Sequence, residues 1–495
     1  MERFLKHNRV AIVTAVLVLF GTCLALVSFG NHLCFRTYGL DLGLYAKATY
    51  DYSHLHGNDS SFFLWSTSNL LGDHFDLLLM LIAPLAWIVP TDWLLLGFQL
   101  LAAIIGALGI YKLARLRTKD TLLPLLMLPM PLVIFGTWHA FGFDYHSNVV
   151  GAMLLPWLVY FAESKKKGHL FGAAVMILLI TICKETSALW LSFVLAALLI
   201  EHRKDKATRR FMGWSLGFII VYFAVITFFV MPSLGGGGAG TGFWRYKLMG
   251  DSMGEVAGWV FTHPLQAVRN IFIDFTPKGD SGDIKIEFFI CLLLSGGLLC
   301  LLKPNYLIML IPPLAMKMLS MDAAAFWGIT YHYNAELCMV CCVATVEVLC
   351  RRKSHAIGFS RAVGTIVLLL TIVTTAYSIN KPKTPIRQQN VNIFKAVHYH
   401  QHDFNAEAAR RMIKEIPSDA SVCAVTMFTP HLAARDSVYI YPMGLAYGAE
   451  YFMVLRNHWV YYEGEAEQAA AMIADKEHYT IVDSDNDQLF LLRKK

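Results

Sequence analysis

Of the 495 residues, 56% are hydrophobic and only 16% charged, with a mean hydropathy of +0.49. Such a chain is too apolar for a soluble globular protein and reads as a multi-spanning membrane protein. The net charge of +6 does not point to nucleic acid, because Lys and Arg fall in short clusters between apolar runs, as in cytoplasmic loops.

The first apolar run, Val10 to Phe29, has basic flanks at Arg3, Lys6 and Arg9 and lacks an A-x-A-like cleavage site, so it reads as a retained span. A long outer loop follows, residues 30–76. It opens on Gly39-Leu40-Asp41-Leu42-Gly43-Leu44-Tyr45 and closes on Leu71-Gly72-Asp73-His74-Phe75-Asp76. A lone carboxylate just after a span suggests chemistry at the membrane surface. Asp41, His74 and Asp76 are therefore the first candidates for a catalytic site, with Tyr45 beside them.

Basic clusters at Arg3/Lys6/Arg9, Lys112/Arg115/Arg117/Lys119, Lys165/Lys166/Lys167, Arg203/Lys204/Lys206/Arg209/Arg210, Lys303 and Arg351/Arg352/Lys353 are placed in the cytoplasm. Only one crossing then fits between Asp76 and Lys112, at Trp93 to Tyr111. Leu77 to Val89, ending at Pro90, becomes a half-inserted or interfacial helix. Further spans fall at Leu122 to Trp138, Val149 to Phe161, Phe171 to Cys183, Ser187 to Ile200 and Phe211 to Met231. Lys184-Glu185-Thr186 forms the outer turn between two of them.

A second long outer loop, residues 232–285, carries the glycine-rich run Gly235 to Gly242, which lacks the Lys-Ser/Thr of a phosphate-binding loop and reads as a tether. Trp244-Arg245-Tyr246-Lys247 and Val256 to Phe272 read as interfacial helices whose basic residues hold a lipid phosphate or snorkel. Spans at Ile286 to Leu302, Tyr306 to Leu319, Leu337 to Leu349 and Ala362 to Ile379 bring the total to about eleven. The N-terminus is expected inside and the C-terminus outside.

Residues 381–495 change character. After a linker with Pro382 and Pro385, one helical face carries Phe404, Ala408, Met412, Ile413 and Ile416. Strand-like runs follow at Ser421 to Thr426, Val438 to Tyr441, Tyr451 to Leu455, Thr480 to Val482 and Leu489 to Leu492, with a second helix at Glu465 to Lys476. The expectation is an all-α polytopic membrane domain, 1–380, and a small extracytoplasmic α/β domain, 381–495.

Each candidate has a structural alternative. Asp41 and Tyr45 could orient an interfacial helix, and His74 and Asp76 could anchor the half-inserted one. Asp144 and His146, in the loop Thr137 to Asn148, line the same cavity or serve as polar turn residues. Adjacent Lys184 and Glu185 inside an apolar stretch are costly unless they face water or protein, although an outer turn needs polar residues anyway. Tyr331 and His332 precede a span, where aromatic belts are ordinary, and His332 is also a candidate phosphate or sugar ligand. No metal or disulfide spacing emerges from the ten Cys.

Arg36-Thr37-Tyr38-Gly39-Leu40-Asp41-Leu42-Gly43, Gly72-Asp73-His74-Phe75-Asp76, Phe143-Asp144-Tyr145-His146, Lys184-Glu185 and Tyr331-His332-Tyr333-Asn334, in that order, resemble a bacterial predicted integral membrane protein family, domain of unknown function 2079. Its layout resembles the GT-C glycosyltransferases, which include oligosaccharyltransferase, protein O-mannosyltransferase and the aminoarabinose transferase of lipid A. That resemblance implies an enzyme of the bacterial inner membrane that takes a sugar from a polyprenyl-phosphate carrier and gives it to a glycan, lipid or protein acceptor. In that scheme an acidic residue of the first outer loop is the base or orienter, and Asp41 occupies the matching position. The substrate-binding set is then Tyr45, Asp144, His146, Lys184, Glu185, Arg245, Tyr331 and His332. No acidic pair with DxD spacing stands in the first half of the loop, so no cofactor is expected; a divalent metal is without support, although His74-Phe75-Asp76 could hold a cation. Membrane lipid is an expected partner. A transporter or flippase of lipid-linked glycans and a non-catalytic membrane scaffold are the alternatives.

Overall fold

The structure, a computed structural model, describes residues 2–58, 69–235, 243–351, 356–381, 389–457 and 464–495. Most of the glycine-rich run (236–242), Arg352 and Lys353 of the last basic cluster, and the linker prolines Pro382 and Pro385 lie outside the described residues.

Every expected apolar segment is helical, but the helices differ in reach. Among the described residues, five are long and apolar enough to cross a membrane: Arg9–Leu33, Thr91–Arg117, Lys206–Ser233, His332–Leu349 and Ile357–Ser378. The single span expected at Leu122 to Trp138 is a pair, Leu122–Val133 and Phe135–Phe141, bent by 41°. Its break falls just after Pro129 and Pro131, which cannot donate backbone hydrogen bonds, and Ile134 there is extended. The other expected spans form Ser147–Glu163, His169–Thr181, Glu185–Glu201, Gly282–Leu292 and Pro304–Met318, none longer than 17 residues. At about 1.5 Å per residue each falls short of the roughly 30 Å hydrocarbon layer. The helix from Gly282 also kinks at Gly296, whose φ of 104° suits glycine and where a Cβ would lie 2.7 Å from Thr345 Oγ1.

Burial sorts the long helices. The apolar window of His332–Leu349 is 83% buried and forms the centre of the bundle, whereas those of Arg9–Leu33 and Lys206–Ser233 are 17% and 11% buried and turn their side chains outward. Helices that expose apolar residues this freely need a nonaqueous surround.

One end of the bundle is tied by charge. Arg117 Nε lies 2.7 Å from Glu347 Oε1, Arg351 Nη2 2.8 Å from Glu163 Oε1, and Lys303 Nζ 2.9 Å from Glu201 Oε2. Three cations balance three carboxylates, so the buried charges are mutually compensated.

The other end carries the C-terminal region. Its strands are β1 (Val422–Ala424), β2 (Val438–Ile440), β3 (Tyr451–Leu455), β4 (Tyr479–Asp485) and β5 (Leu489–Lys494), in sheet order β2-β1-β3-β5-β4. Strand β1 pairs parallel with β2 and β3, while β5 runs antiparallel to β3 and β4. Helices Ala406–Glu415 and Glu465–Ala474 accompany the sheet. Asn405 caps the first by accepting from the amides of Glu407 and Ala408, and Ala408, Met412 and Ile416 bury its apolar face as the sequence pattern expects. The region seats on the end of Arg9–Leu33. The Arg36 guanidinium donates to the carbonyls of Val397, His398 and His400, and Asn31 Nδ2 donates to the Asn390 carbonyl at 2.8 Å.

Candidate functional site

Asp41 sits in a tight turn, Gly39–Gly43, that leads straight into the helix Leu44–Ser53. Two bonds from distant parts of the chain pin its start. The Tyr38 amide donates to Asp144 Oδ2 at 3.0 Å, and the Gly39 amide donates to Thr426 Oγ1 at 2.9 Å. The turn is held between the helical bundle and the C-terminal sheet, which leaves the Asp41 side chain 16% exposed with Oδ1 3.3 Å from His146 Nε2.

An aromatic row runs away from that carboxylate. His146 stacks on His332 with ring centres 3.5 Å apart, His332 touches Tyr333 at 4.0 Å, and Tyr333 stacks on Phe326 at 4.1 Å. The Arg245 guanidinium lies 5.2 Å from the Phe326 ring and 3.7 Å from Asp322. Tyr331 flanks the row through Phe143, 4.8 Å away, and Phe143 in turn meets His332 at 5.1 Å.

On the other side of Asp41, the buried Tyr45 lies between His146 and His74, with ring centres 6.0 and 6.4 Å away. Burial, with the charges of Asp76 and Asp41, pushes its phenol well above the usual range, so it remains a donor. His74 Nδ1 is 3.7 Å from Glu185 Oε1, while Glu185 Oε2 accepts from the Phe75 amide at 2.9 Å. Burial lowers the His74 pKa, but Asp73 and Glu185 outweigh it and the net shift is upward.

Asp76 and Asp144 are placed differently from Asp41: both are buried. Asp76 accepts from the Ser147 hydroxyl and, at 3.1 Å, from the Leu78 amide. Burial pushes its carboxyl up to about 7 against the opposing influence of Ser147, Lys184 and His74. Asp144, with φ of 62°, spends one oxygen on Tyr38. Asp76 thus bonds to the residue that follows His146, and Asp144 ties the Asp41 turn to the same loop.

Lys184 stands half-buried in extended backbone just before the Glu185–Glu201 helix. Its charge is felt by Asp76, His74 and Glu185, yet among the described residues its ammonium makes no ion pair or hydrogen bond. Asp41, Tyr45, His74, Lys184, Glu185, His146 and His332 therefore gather at one end of the bundle, with Arg245 at the far end of the aromatic row.

Residues outside the sequence-based set complete the support. Gln99 Nε2 donates to the Asp144 carbonyl at 3.0 Å and its Oε1 accepts from the His146 amide at 2.9 Å, so one side chain clamps both ends of that turn. Its signal was an uncharged polar residue alone in the apolar run Trp93 to Tyr111. Thr426 carried no signal, since its role depends on a contact 387 residues away.

Among the described residues, two groups bring three possible ligand atoms within 4.8 Å of one another, His32/Asp92/His431 and Glu163/Glu201/Glu347. Neither includes Asp41, His74 or Asp76. The second is neutralised by its cations. In the first, His431 lies parallel to His32 at 4.1 Å, so the two rings cannot point at one ion without turning.

A bundle of apolar helices with ionisable residues gathered at its two ends defines a polytopic membrane protein. The chain belongs to the family described as "Predicted membrane protein (DUF2079)", which matches residues 31–489. No curated protein matches it. Among solved structures it is similar to the apo oligosaccharyltransferase of Archaeoglobus fulgidus, at 10% identity and a TM-score of 0.44 over 90% of this chain and 69% of that one. A second is oligosaccharyltransferase AglB of the same organism in complex with an inhibitory peptide and a dolichol-phosphate, at 10% identity and a TM-score of 0.43 over 90% and 70%.

Proposed function

We propose that this chain is a membrane glycosyltransferase that moves a sugar from a polyprenyl-phosphate donor to an acceptor outside the cytoplasm. The reaction class is what the resemblance of the sequence layout to the GT-C glycosyltransferases implies. The observation that carries it to particular residues is the partly exposed Asp41 carboxylate against the stacked His146 and His332, with the unpaired Lys184 ammonium at the same end of the bundle. In this reading the acceptor atom forms a bond to the anomeric carbon as the carbon–oxygen bond to phosphate breaks. The acceptor's proton passes to Asp41, and the phosphate leaves with the electron pair toward Lys184 and His332. Asp76, Asp144 and Gln99 position the groups that react. The proposal includes an inner-membrane location with about eleven crossing segments in 1–380, the N-terminus in the cytoplasm and residues 381–495 outside.

The test is release of polyprenyl phosphate by the full chain in nanodiscs, from a panel of polyprenyl-phosphate monosaccharides. Asp41→Asn should lower the rate by about 100-fold to 10,000-fold with thermal unfolding unchanged. Wild-type rates in that variant would remove Asp41 from the chemistry, and no release from any donor by the wild type would overturn the reaction class.

A further inference from the structure

The end of the bundle opposite Asp41 holds an open cleft of about 580 Å³ between the start of Arg9–Leu33, the end of Thr91–Arg117 and the end of Ser147–Glu163. Four cations line it, Arg9, Lys112, Arg115 and Lys166, and no acidic side chain does. Among the described residues none of the four makes an ion pair or a side-chain hydrogen bond, although Arg117, Arg351 and Lys303 nearby all find carboxylates. Leaving four like charges around one hollow is unfavourable without an anion, since like charges repel and a low-dielectric wall sharpens the field.

A second observation concerns the wall of the same hollow. Tyr111 also lines it, is only 7% exposed, and has a buried hydroxyl with no hydrogen-bond partner. A buried donor left unpaired is unfavourable, and a phosphate oxygen would satisfy it. Apart from Thr14 and Tyr160 the remaining walls are aliphatic, and Val10 and Leu116 at the rim expose 74% and 37% of their surface. A free inorganic ion has no use for such walls, whereas an acyl chain lies against them. Along the helix Thr91–Arg117 the cleft residues Leu108 to Leu116 lie beyond Gln99, which braces the Asp41 end, by roughly 14 to 26 Å at about 1.5 Å per residue.

We infer that this cleft binds the phosphate headgroup of an anionic phospholipid, with Arg9, Lys112, Arg115 and Lys166 around the phosphate, Tyr111 donating to it and the acyl chains against the apolar rim. Basic pockets between membrane helices recognise anionic headgroups in this manner. The site is separate from the proposed catalytic one.

The experiment is native mass spectrometry of the full chain, released from nanodiscs of phosphatidylglycerol or of phosphatidylcholine. Wild type should retain one phosphatidylglycerol and no phosphatidylcholine. The double variant Arg9→Gln with Arg115→Gln should weaken retention by about 25-fold, or about five-fold per cation. A charge-matched control, Lys204→Gln with Arg210→Gln, lies outside the cleft and should retain the lipid. Tyr111→Phe, which keeps every charge, should also weaken retention and serves if the double variant does not fold. Equal losses in the control and the cleft variants would reduce the effect to general surface charge and overturn the site. Retention of phosphatidylcholine, or displacement of the lipid by millimolar inorganic phosphate, would overturn the assignment to an anionic lipid.

Discussion

Lys184 carries the clearest consequence at the scale of single residues. A half-buried ammonium without an ion pair, close enough to influence Asp76 and Glu185, is a ready partner for a departing phosphate. Lys184→Met should raise the KM for the lipid donor more than that for the acceptor, a loss on the order of 1.5 to 3 kcal/mol for a charge-assisted hydrogen bond. Donor titrations at fixed acceptor decide this, and an unchanged donor KM with a lower kcat would move the role of Lys184 to the transition state. Asp76 gives a pH signature instead. Its carboxyl is raised from 3.8 to about 7 in the fold, so between those values the unfolded chain releases a proton that the folded one keeps. Stability therefore falls as pH rises through that window and the penalty is fully present above it. Asp76→Asn can still accept from Leu78 and meet the Ser147 hydroxyl. In thermal unfolding it should be more stable than wild type at pH 8, by up to roughly 4 kcal/mol, and the gap should close by about pH 4. A gap independent of pH would show that Asp76 is ionised in the fold throughout. Asp41, His74, Lys184 and Glu185 were legible in the sequence because charge in an apolar chain needs a reason. Gln99 and Ser147 were not, because an uncharged polar side chain in a span or a loop is ordinary until its partner is seen.

Among elements, the turn Gly39–Gly43 is the most exacting. A Cβ on Gly39 would lie 2.4 Å from Thr429 Oγ1 and 2.9 Å from Ile440 Cδ1, so the turn touches the C-terminal sheet region without spare room. Gly39→Ala should push the two apart, at a cost of about 1 to 3 kcal/mol as an overpacked contact, and should lower activity while the sheet itself stays folded. Circular dichroism and limited proteolysis of the C-terminal region would check it; unchanged activity and protease resistance would mean that the contact does not hold Asp41. The strands were legible from alternating and β-branched runs such as Val438 to Tyr441. The break at Ile134 was not placed, although Pro129 and Pro131 marked it, because a run apolar on every side gives no periodicity by which to see a bend.

For the molecule as a whole, the two ends of the bundle are chemically distinct, with compensated ion pairs and a basic cleft at one and the Asp41 cluster at the other. Under the proposed topology, a reporter enzyme active only outside the cytoplasm should be active when fused after Lys495 and inactive after Lys119 or Lys206. Activity after Lys119 would invert the orientation. The number of crossings was the least legible property, because charge clusters set the parity of hairpins and say nothing of helix length. The bond between Gly39 and Thr426 also bears on how the protein is made. The two residues are 387 positions apart, and at about 5 to 20 residues per second the second is synthesised roughly 20 to 80 s after the first. During that interval the nascent chain has its first helices but lacks one of the two partners that pin the Asp41 turn. The turn that carries Asp41 therefore gains its second pin only once the chain has been made through Thr426, and a chain released before that point holds the turn by the Tyr38–Asp144 bond alone.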